Sequence, residues 1–288
     1  MKIQAHLVKA FTKDPSGGNP AGVVVNADNM SDPQMQKIAQ ELGFSESAFI
    51  QKSEKADYKV RFFTTKQEVD FCGHATIATF FSLVENGFIR LGNRDFVEVT
   101  QETKAGIFPV ACHDNGKIMM TQANPIFGEI EKDKAQVATL LSISKDDLDD
   151  KLPIQTVSTA SPKLIVPVKS LDLLKKINPD LQGILRYCNE HQPQGFYAFT
   201  TETPSGNNDL AARFFNPTVG IDEDPATGVA AGALACYADR HIFNHAKKQY
   251  VIEQGFAMNM PSTLYVDITD KVLVGGYGAN FGQKELEV

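Results

Sequence analysis

The sequence predicts a mixed α and β chain of two similar domains. Three observations lead there. One pattern occurs twice: Arg61-Phe62-Phe63 precedes Asp70 and Ala75-Thr76, and Arg213-Phe214-Phe215 precedes Asp222 and Ala226-Thr227. In both copies Asp follows Arg after nine positions, and small and apolar residues follow the Ala-Thr pair. A repeat spaced by roughly half the chain suggests two similar domains facing each other across a cleft, a natural place for an active site. The length, 288 residues, suffices for two domains with their own cores. Finally, apolar runs of strand length interleave with segments of helical spacing.

The elements follow in order. Val8 to Phe11 and Val23 to Val25 are apolar runs around Gly17-Gly18-Asn19-Pro20-Ala21-Gly22, which reads as a turn. Ser31-Asp32-Pro33-Gln34 reads as a helix start, with a Ser cap and Gln three residues later. Met35, Ile38, Ala39 and Leu42 form its apolar face, and Gly43 ends it. Ala48-Phe49-Ile50 and Tyr58 to Phe63 read as strands, and His74 to Glu85 as a buried helix. Phe96 to Gln122 reads as a β-meander, with Asp114-Asn115-Gly116 as a hairpin turn. Gln122 to Glu129 contains Pro125 and Gly128 and reads as the crossing between domains. Beyond it, polar helices are expected near Lys132 to Ser142 and Leu171 to Glu190, and strands at Phe196 to Thr200 and Leu210 to Phe215. Ala226 to Arg240 reads as a second small-residue helix, with closing strands over Tyr250 to Asp267 and Val272 to Gly276.

Composition narrows the function classes. The net charge of −7 argues against nucleic acid and anionic membranes as partners. No run of 18 apolar residues exists, and the start of the chain lacks the apolar core of a signal peptide. Cys72, Cys112, Cys188 and Cys236 are scattered, which reads as free thiols in a cytoplasmic protein. There is no GxxxxGK[ST] loop for phosphates. Gly275-Gly276-Tyr277-Gly278 leaves no room for a dinucleotide-binding βαβ unit. Ser45, in Gly43-Phe44-Ser45-Glu46-Ser47, lacks the second glycine of a nucleophile elbow. Cys72-Gly73-His74 has no partner ligands at metal spacing. Neither a cofactor nor a metal is expected.

The repeated helix starts carry more. Gly73-His74-Ala75-Thr76 and Pro225-Ala226-Thr227-Gly228 put unpaired backbone N–H groups at helix N-termini, where anions are attracted. A small carboxylate is the expected ligand. The alternative is that the small residues only let helix and sheet pack closely.

Gly18-Asn19-Pro20, Ser45-Glu46, Gly73-His74 and Glu223-Asp224-Pro225-Ala226-Thr227-Gly228 occur in this order, with Gln254-Gly255, Pro261-Ser262 and Gly275-Gly276 after them. In order and spacing the whole chain resembles the PhzF-like family, named for a phenazine-biosynthesis isomerase. The resemblance implies an α+β fold of two pseudo-symmetric diaminopimelate epimerase-like domains. Each is a curled, mostly antiparallel sheet around a central helix, here 74–86 and 226–240. The implied domains are residues 1–122, with about 268–288 returning to them, and 123–267. The resemblance also implies a homodimer.

The epimerase relatives use two opposed cysteines, one at each central helix. The second helix here begins Asp224-Pro225-Ala226-Thr227, with Cys236 three turns later, so a two-thiol mechanism is not expected. Glu46, flanked by Phe44 and Phe49, is the acid/base candidate, since desolvation would make its carboxylate a better base. In the family the matching Glu is the proton shuttle on a dihydro-anthranilate-type substrate. The resemblance places His74 and Asp224 beside it as catalytic residues, and Asn19, Ser45, Gly73, Ala226, Thr227 and Gly228 as substrate-binding. Two positions depart from the pattern: Val229 stands where the phenazine enzyme has serine, and Cys72 where it has alanine before Gly-His. The expected function is a cofactor-independent isomerase moving a proton between carbons of a small carboxylated metabolite. The alternatives are an epimerase or racemase using Glu46 and a second base, and a non-catalytic binder of small acids.

Overall fold

The computed structural model describes residues 2–287. The chain divides into two compact units, Met1–Thr121 with Gly275–Val288, and Gln122–Val274. The return to the first unit thus begins at Gly275 and not at about 268.

The first unit runs β1 (Lys2–Ala10), β2 (Asn19–Val24), α1 (Asp32–Leu42), β3 (Glu46–Gln51), β4 (Tyr58–Phe63) and β5 (Glu68–Val69). It continues with α2 (Gly73–Glu85), β6 (Phe96–Thr103), β7 (Gly106–His113) and β8 (Ile118–Gln122). The second unit holds β9 (Ile126–Ile130), α3 (Lys134–Leu140), β10 (Gln155–Ser158), β11 (Pro162–Pro167), α4 (Leu171–Lys176) and α5 (Leu181–His191). It continues with β12 (Phe196–Thr200), β13 (Leu210–Asn216), β14 (Ile221–Asp224), α6 (Gly228–His241), β15 (Gln249–Gln254) and β16 (Ser262–Asp267). The division falls inside β17 (Val272–Gly276), and β18 (Gly278–Glu287) completes the first unit by pairing antiparallel to β1.

In the first unit most strand pairs are antiparallel, with parallel joins at β2–β3 and β4–β6. Period-2 alternation sorts the side chains between two faces. Phe49 and Phe63 join Met35, Ile38 and Ala39 of α1 in one core. The opposite face wraps α2, which touches β1, β2, β3, β7 and β18. Helix α2 is buried over nearly its whole length, from His74 to Leu83, as a helix apolar all round must be.

The second unit repeats the plan. Its sheet packs one face on α3, α4 and α5 and the other on α6. Alanines 230, 231, 233 and 235 of α6 are fully buried, and a Cβ at Gly232 would lie 2.2 Å from Gln122 Oε1. Close packing therefore does require small residues on this helix. Helix α6 begins at Gly228, two residues later than expected, because Asp224 still belongs to β14 and Pro225 holds its predecessor extended. Residues 171–190 form two helices, not one, interrupted at Pro179.

The repeated arginines make matching bonds, to glutamates and not to the repeated aspartates. Arg61 Nε and Nη2 donate to Glu68 at 2.7 and 2.8 Å, and Arg213 Nε and Nη2 to Glu223 at 2.8 and 2.7 Å. The bonded Arg61 guanidinium holds the Glu68 carboxyl below its ordinary value of 4.5. A depressed folded-state pKa adds stability above the unfolded value that is lost as pH falls through the folded one. Glu68→Gln should therefore flatten the acid limb of the stability curve below about pH 4.5, as read by unfolding at several pH values. An unchanged acid limb would show that the pair contributes nothing.

Candidate active site

The first unit gathers its polar residues where β2, β3 and α2 meet. In the parallel β2–β3 pair Ala21 lies opposite Glu46. Partners in register share a face, and so do residues two apart, which puts Asn19 on the face that carries Glu46. Asn19 is buried, and Ser45, just before β3, is exposed. Phe49, three residues beyond Glu46, points the other way into the α1 core, 5.4 Å from Phe63. The expected Phe44–Phe49 flank therefore does not form, and Phe44 packs edge-on to Phe281 at 6.0 Å. What adjoins the carboxylate is the start of α2.

His74 Nε2 lies 3.5 Å from Glu46 Oε2, with side-chain exposures of 9% and 16%. That separation is longer than an N–H···O hydrogen bond, and Nε2 is buried with no hydrogen-bond partner. On the other side of the ring, Cys72 Sγ lies 3.4 Å from His74 Nδ1. Folding thus adds a third candidate ligand, Glu46, to the Cys72-Gly73-His74 segment, with all three ligand atoms within 4.8 Å. Thiol and carboxylate approach different nitrogens of one imidazole. An ion on either nitrogen would leave one of them on the wrong edge of the ring, whereas a proton chain of thiol, imidazole and carboxylate needs this order.

Cys72 is the N-cap of α2, and its side chain makes no cap hydrogen bond. The first N–H groups of α2 thus lack the usual hydroxyl or carboxylate cap. A Cβ at Gly73 would meet only Met120 Cε, at 3.7 Å. Gly73→Ala should therefore fold with near-normal stability, checked by thermal unfolding.

In the second unit Asp224 ends β14 and Thr227 is the N-cap of α6. Thr227 Oγ1 donates to Asp224 Oδ2. Buried Gln254 joins the group: its Nε2 donates to the Asp224 carbonyl at 2.7 Å and to Thr227 Oγ1 at 3.2 Å. Its Oε1 accepts from Tyr197 OH at 2.8 Å and from the Thr227 N–H at 3.4 Å. A chain from Tyr197 through Gln254 and Thr227 thus aims the Asp224 carboxylate. The Thr227 N–H, expected to meet an anion, already has an acceptor. Ala226 and Gly228 are buried beside it.

Gly255 fixes this corner. It has φ +77°, and a Cβ there would lie 2.2 Å from Met260 O and 2.6 Å from Pro225 O. Gly255→Ala should cost more than about 1 kcal/mol, the usual penalty where the native φ is positive. Wild-type stability by urea unfolding would contradict this.

A curled sheet around a buried helix in each unit defines a diaminopimelate epimerase-like fold, here with Glu46, His74 and Cys72 gathered at the start of α2. The chain belongs to the phenazine biosynthesis-like protein family, whose model matches residues 8–282, and is by that family an isomerase. It is 37% identical to the uncharacterized isomerase YfhB of Bacillus subtilis, over 93% of this chain and 92% of that one. It is 30% identical, over 96% of each chain, to the trans-2,3-dihydro-3-hydroxyanthranilate isomerase of Pseudomonas chlororaphis. The crystal structure of a PhzF-family protein of Bacillus anthracis matches with TM-score 0.90 at 31% identity, covering all of both chains. A hydroxyproline epimerase of Agrobacterium vitis shares the fold alone, with TM-score 0.63 at 13% identity over 99% of this chain and 91% of that one.

Proposed function

We propose that this isomerase works without a cofactor and moves a proton between carbons of a small carboxylated metabolite, with Glu46 as acid and base. The observation that carries the reading is the Glu46 carboxylate held 3.5 Å from a buried His74 nitrogen. Glu46 takes the proton from an activated carbon and returns it to another position of the same molecule. His74 orients the carboxylate and stabilises it when ionised. Asp224, aimed by Thr227 and Gln254, accepts from an amine or hydroxyl of the substrate. Asn19, Ser45 and the N–H groups at Gly73 contribute further polar contacts. A cyclic acid like the one named for the Pseudomonas relative is one candidate, although Val229 offers no hydroxyl.

The test is a screen of small acids with the purified protein in deuterated water. A true substrate acquires carbon-bound deuterium, seen by mass spectrometry. Acids that bind without any carbon-bound deuterium would make the protein a binder and not an isomerase.

A further inference from the structure

A cavity of about 390 Å³ opens in the second unit, beside the end of α6, the start of β9 and the turn between β16 and β17. Its volume lies within the range of small-molecule sites. Every residue that lines it belongs to the second unit. The 14-residue helix α6 spans about 21 Å. The cavity adjoins its last turn, whereas Thr227 and Asp224 adjoin its first. It is therefore a different place from the Asp224 corner.

Cys236, Asp239 and Arg240 share one face of α6 and form one wall. Cys236 and Asp239 are nearly buried, and Arg240 is exposed. The Asp239 carboxylate is already occupied. It meets His245 Nδ1 at 2.6 Å and accepts from Tyr250 OH at 3.1 Å and Lys248 Nζ at 3.4 Å. His245 and Asn244 both hold positive φ, 64° and 47°, which residues other than glycine seldom adopt. The bonds to Asp239, with His245 N–H donating to its carbonyl at 2.9 Å, pin this turn and bring Lys248 to the cavity. Pro125, Phe127, Ile268 and Val272 add apolar surface.

Arg240 stands apart from this network. Its guanidinium lies over the Phe127 ring, 4.3 Å from the centre. A ring face supplies attraction but no lone pair for the N–H fork. Among the described residues Arg240 meets no carboxylate and no carbonyl. The fixed charges around the cavity leave it in excess. Lys248 offsets Asp239, Lys271 offsets its neighbour Asp270, and Arg240 has no counterpart. Exposed His245 adds charge only when protonated.

We propose that this cavity is a binding site for a small organic monoanion, a carboxylate whose oxygens take the Arg240 fork and whose apolar body rests against the surface around Phe127. A carboxylate matches the planar guanidinium with two parallel hydrogen bonds. A dianion such as phosphate exceeds the one uncompensated charge and leaves the apolar surface uncovered. The proposal does not depend on the isomerase reading, because Glu46 and His74 take no part in it.

The experiment uses the full chain with benzoate as the probe, and benzamide and inorganic phosphate beside it. Calorimetric titration should show benzoate binding at millimolar concentration or below, with benzamide and phosphate each at least about tenfold weaker. Arg240→Gln should weaken this benzoate site by about tenfold, the usual order for a hydrogen bond to a charged group. Arg240→Lys keeps the charge without the fork and should fall between the two. Arg240 is exposed, so both variants should fold. Benzoate could also enter the isomerase's own site, and crystals soaked in 4-iodobenzoate separate the two. The iodine should lie in the cavity beside Phe127 in the wild-type protein and be absent from it in Arg240→Gln.

Wild-type benzoate affinity in Arg240→Gln, or iodine found only elsewhere, would overturn the assignment. So would binding at crystal concentration only, with no heat at millimolar benzoate. Phosphate binding more tightly than benzoate and lost in Arg240→Gln would overturn the choice of a carboxylate.

Discussion

Glu46→Gln lowers turnover on the true substrate by about two to four orders of magnitude, the usual share of a general acid/base group. Ligand affinity and thermal stability stay near wild type. The substitution keeps the volume and the hydrogen-bonding shape of the side chain but cannot accept a proton from carbon. His74 Nε2, 3.5 Å away, meets an amide where a carboxylate stood. Glu46→Asp shortens the reach by one methylene and is also poor, because proton transfer requires hydrogen-bond contact. Cys72→Ala is mild by comparison. The thiol touches the far nitrogen of His74, at 3.4 Å from Nδ1, and the carboxylate side of the ring is left intact. The measurement is the rate of carbon-bound deuterium incorporation for each variant. Full activity in Glu46→Gln together with none in Cys72→Ala would move the chemistry to the thiol.

Local signals in the sequence were legible where local chemistry decides. Ser31 and Gln34 form the capping box of α1, with Ser31 N–H donating to Gln34 Oε1 at 2.9 Å, and Gly43 ends that helix at φ 71°. Gly116, at φ 85°, sits in the hairpin read from Asp114-Asn115-Gly116. The two small-residue helices were visible from their composition alone. What sequence reading missed is what strands bring from far away. Gln254 lies on β15 and Tyr197 on β12, yet both bond into the Asp224 corner. Tyr197 carries no local signal, and Gln254, quoted in the Gln254-Gly255 pair, carries no role there, because a buried glutamine on an alternating strand looks like any other polar position. The Phe44–Phe49 flank failed for a simpler reason: residues three apart on a strand fall on opposite faces, so Phe49 cannot stand beside Glu46. The bond partners of Arg61 and Arg213 also depended on tertiary pairing. The repeat put an Asp nine positions after each Arg, but the antiparallel β4–β5 and β13–β14 pairs bring a Glu to each guanidinium.

Those two arginines differ in how much depends on them, and Arg213 carries the larger expected loss of stability. Its Nη1 donates to the carbonyls of Leu174, Lys175 and Ile177 at 3.1, 3.3 and 2.8 Å, closing the C-terminal end of α4, while Nε and Nη2 hold Glu223. Arg213 is 8% exposed and Glu223 16%. Replacing it by methionine strands a largely buried carboxylate and the helix-end carbonyls together. Removing one partner of such a pair costs about 3–5 kcal/mol. Lysine does not rescue it, since a single ammonium cannot replace the planar fork. Arg61→Met should cost less, because its second partner, Asp32, is 72% exposed and keeps its water. The consequence reaches Asp224 through alternation on β14. Arg213 draws Glu223 to its own side of the sheet, which turns the next residue, Asp224, to the opposite face. Arg213→Met should therefore lower both the urea midpoint and the turnover, and the double variant with Glu223→Gln should recover part of the stability. An Arg213→Met protein within about 1 kcal/mol of wild type would show that the Arg213–Glu223 pair contributes little to stability.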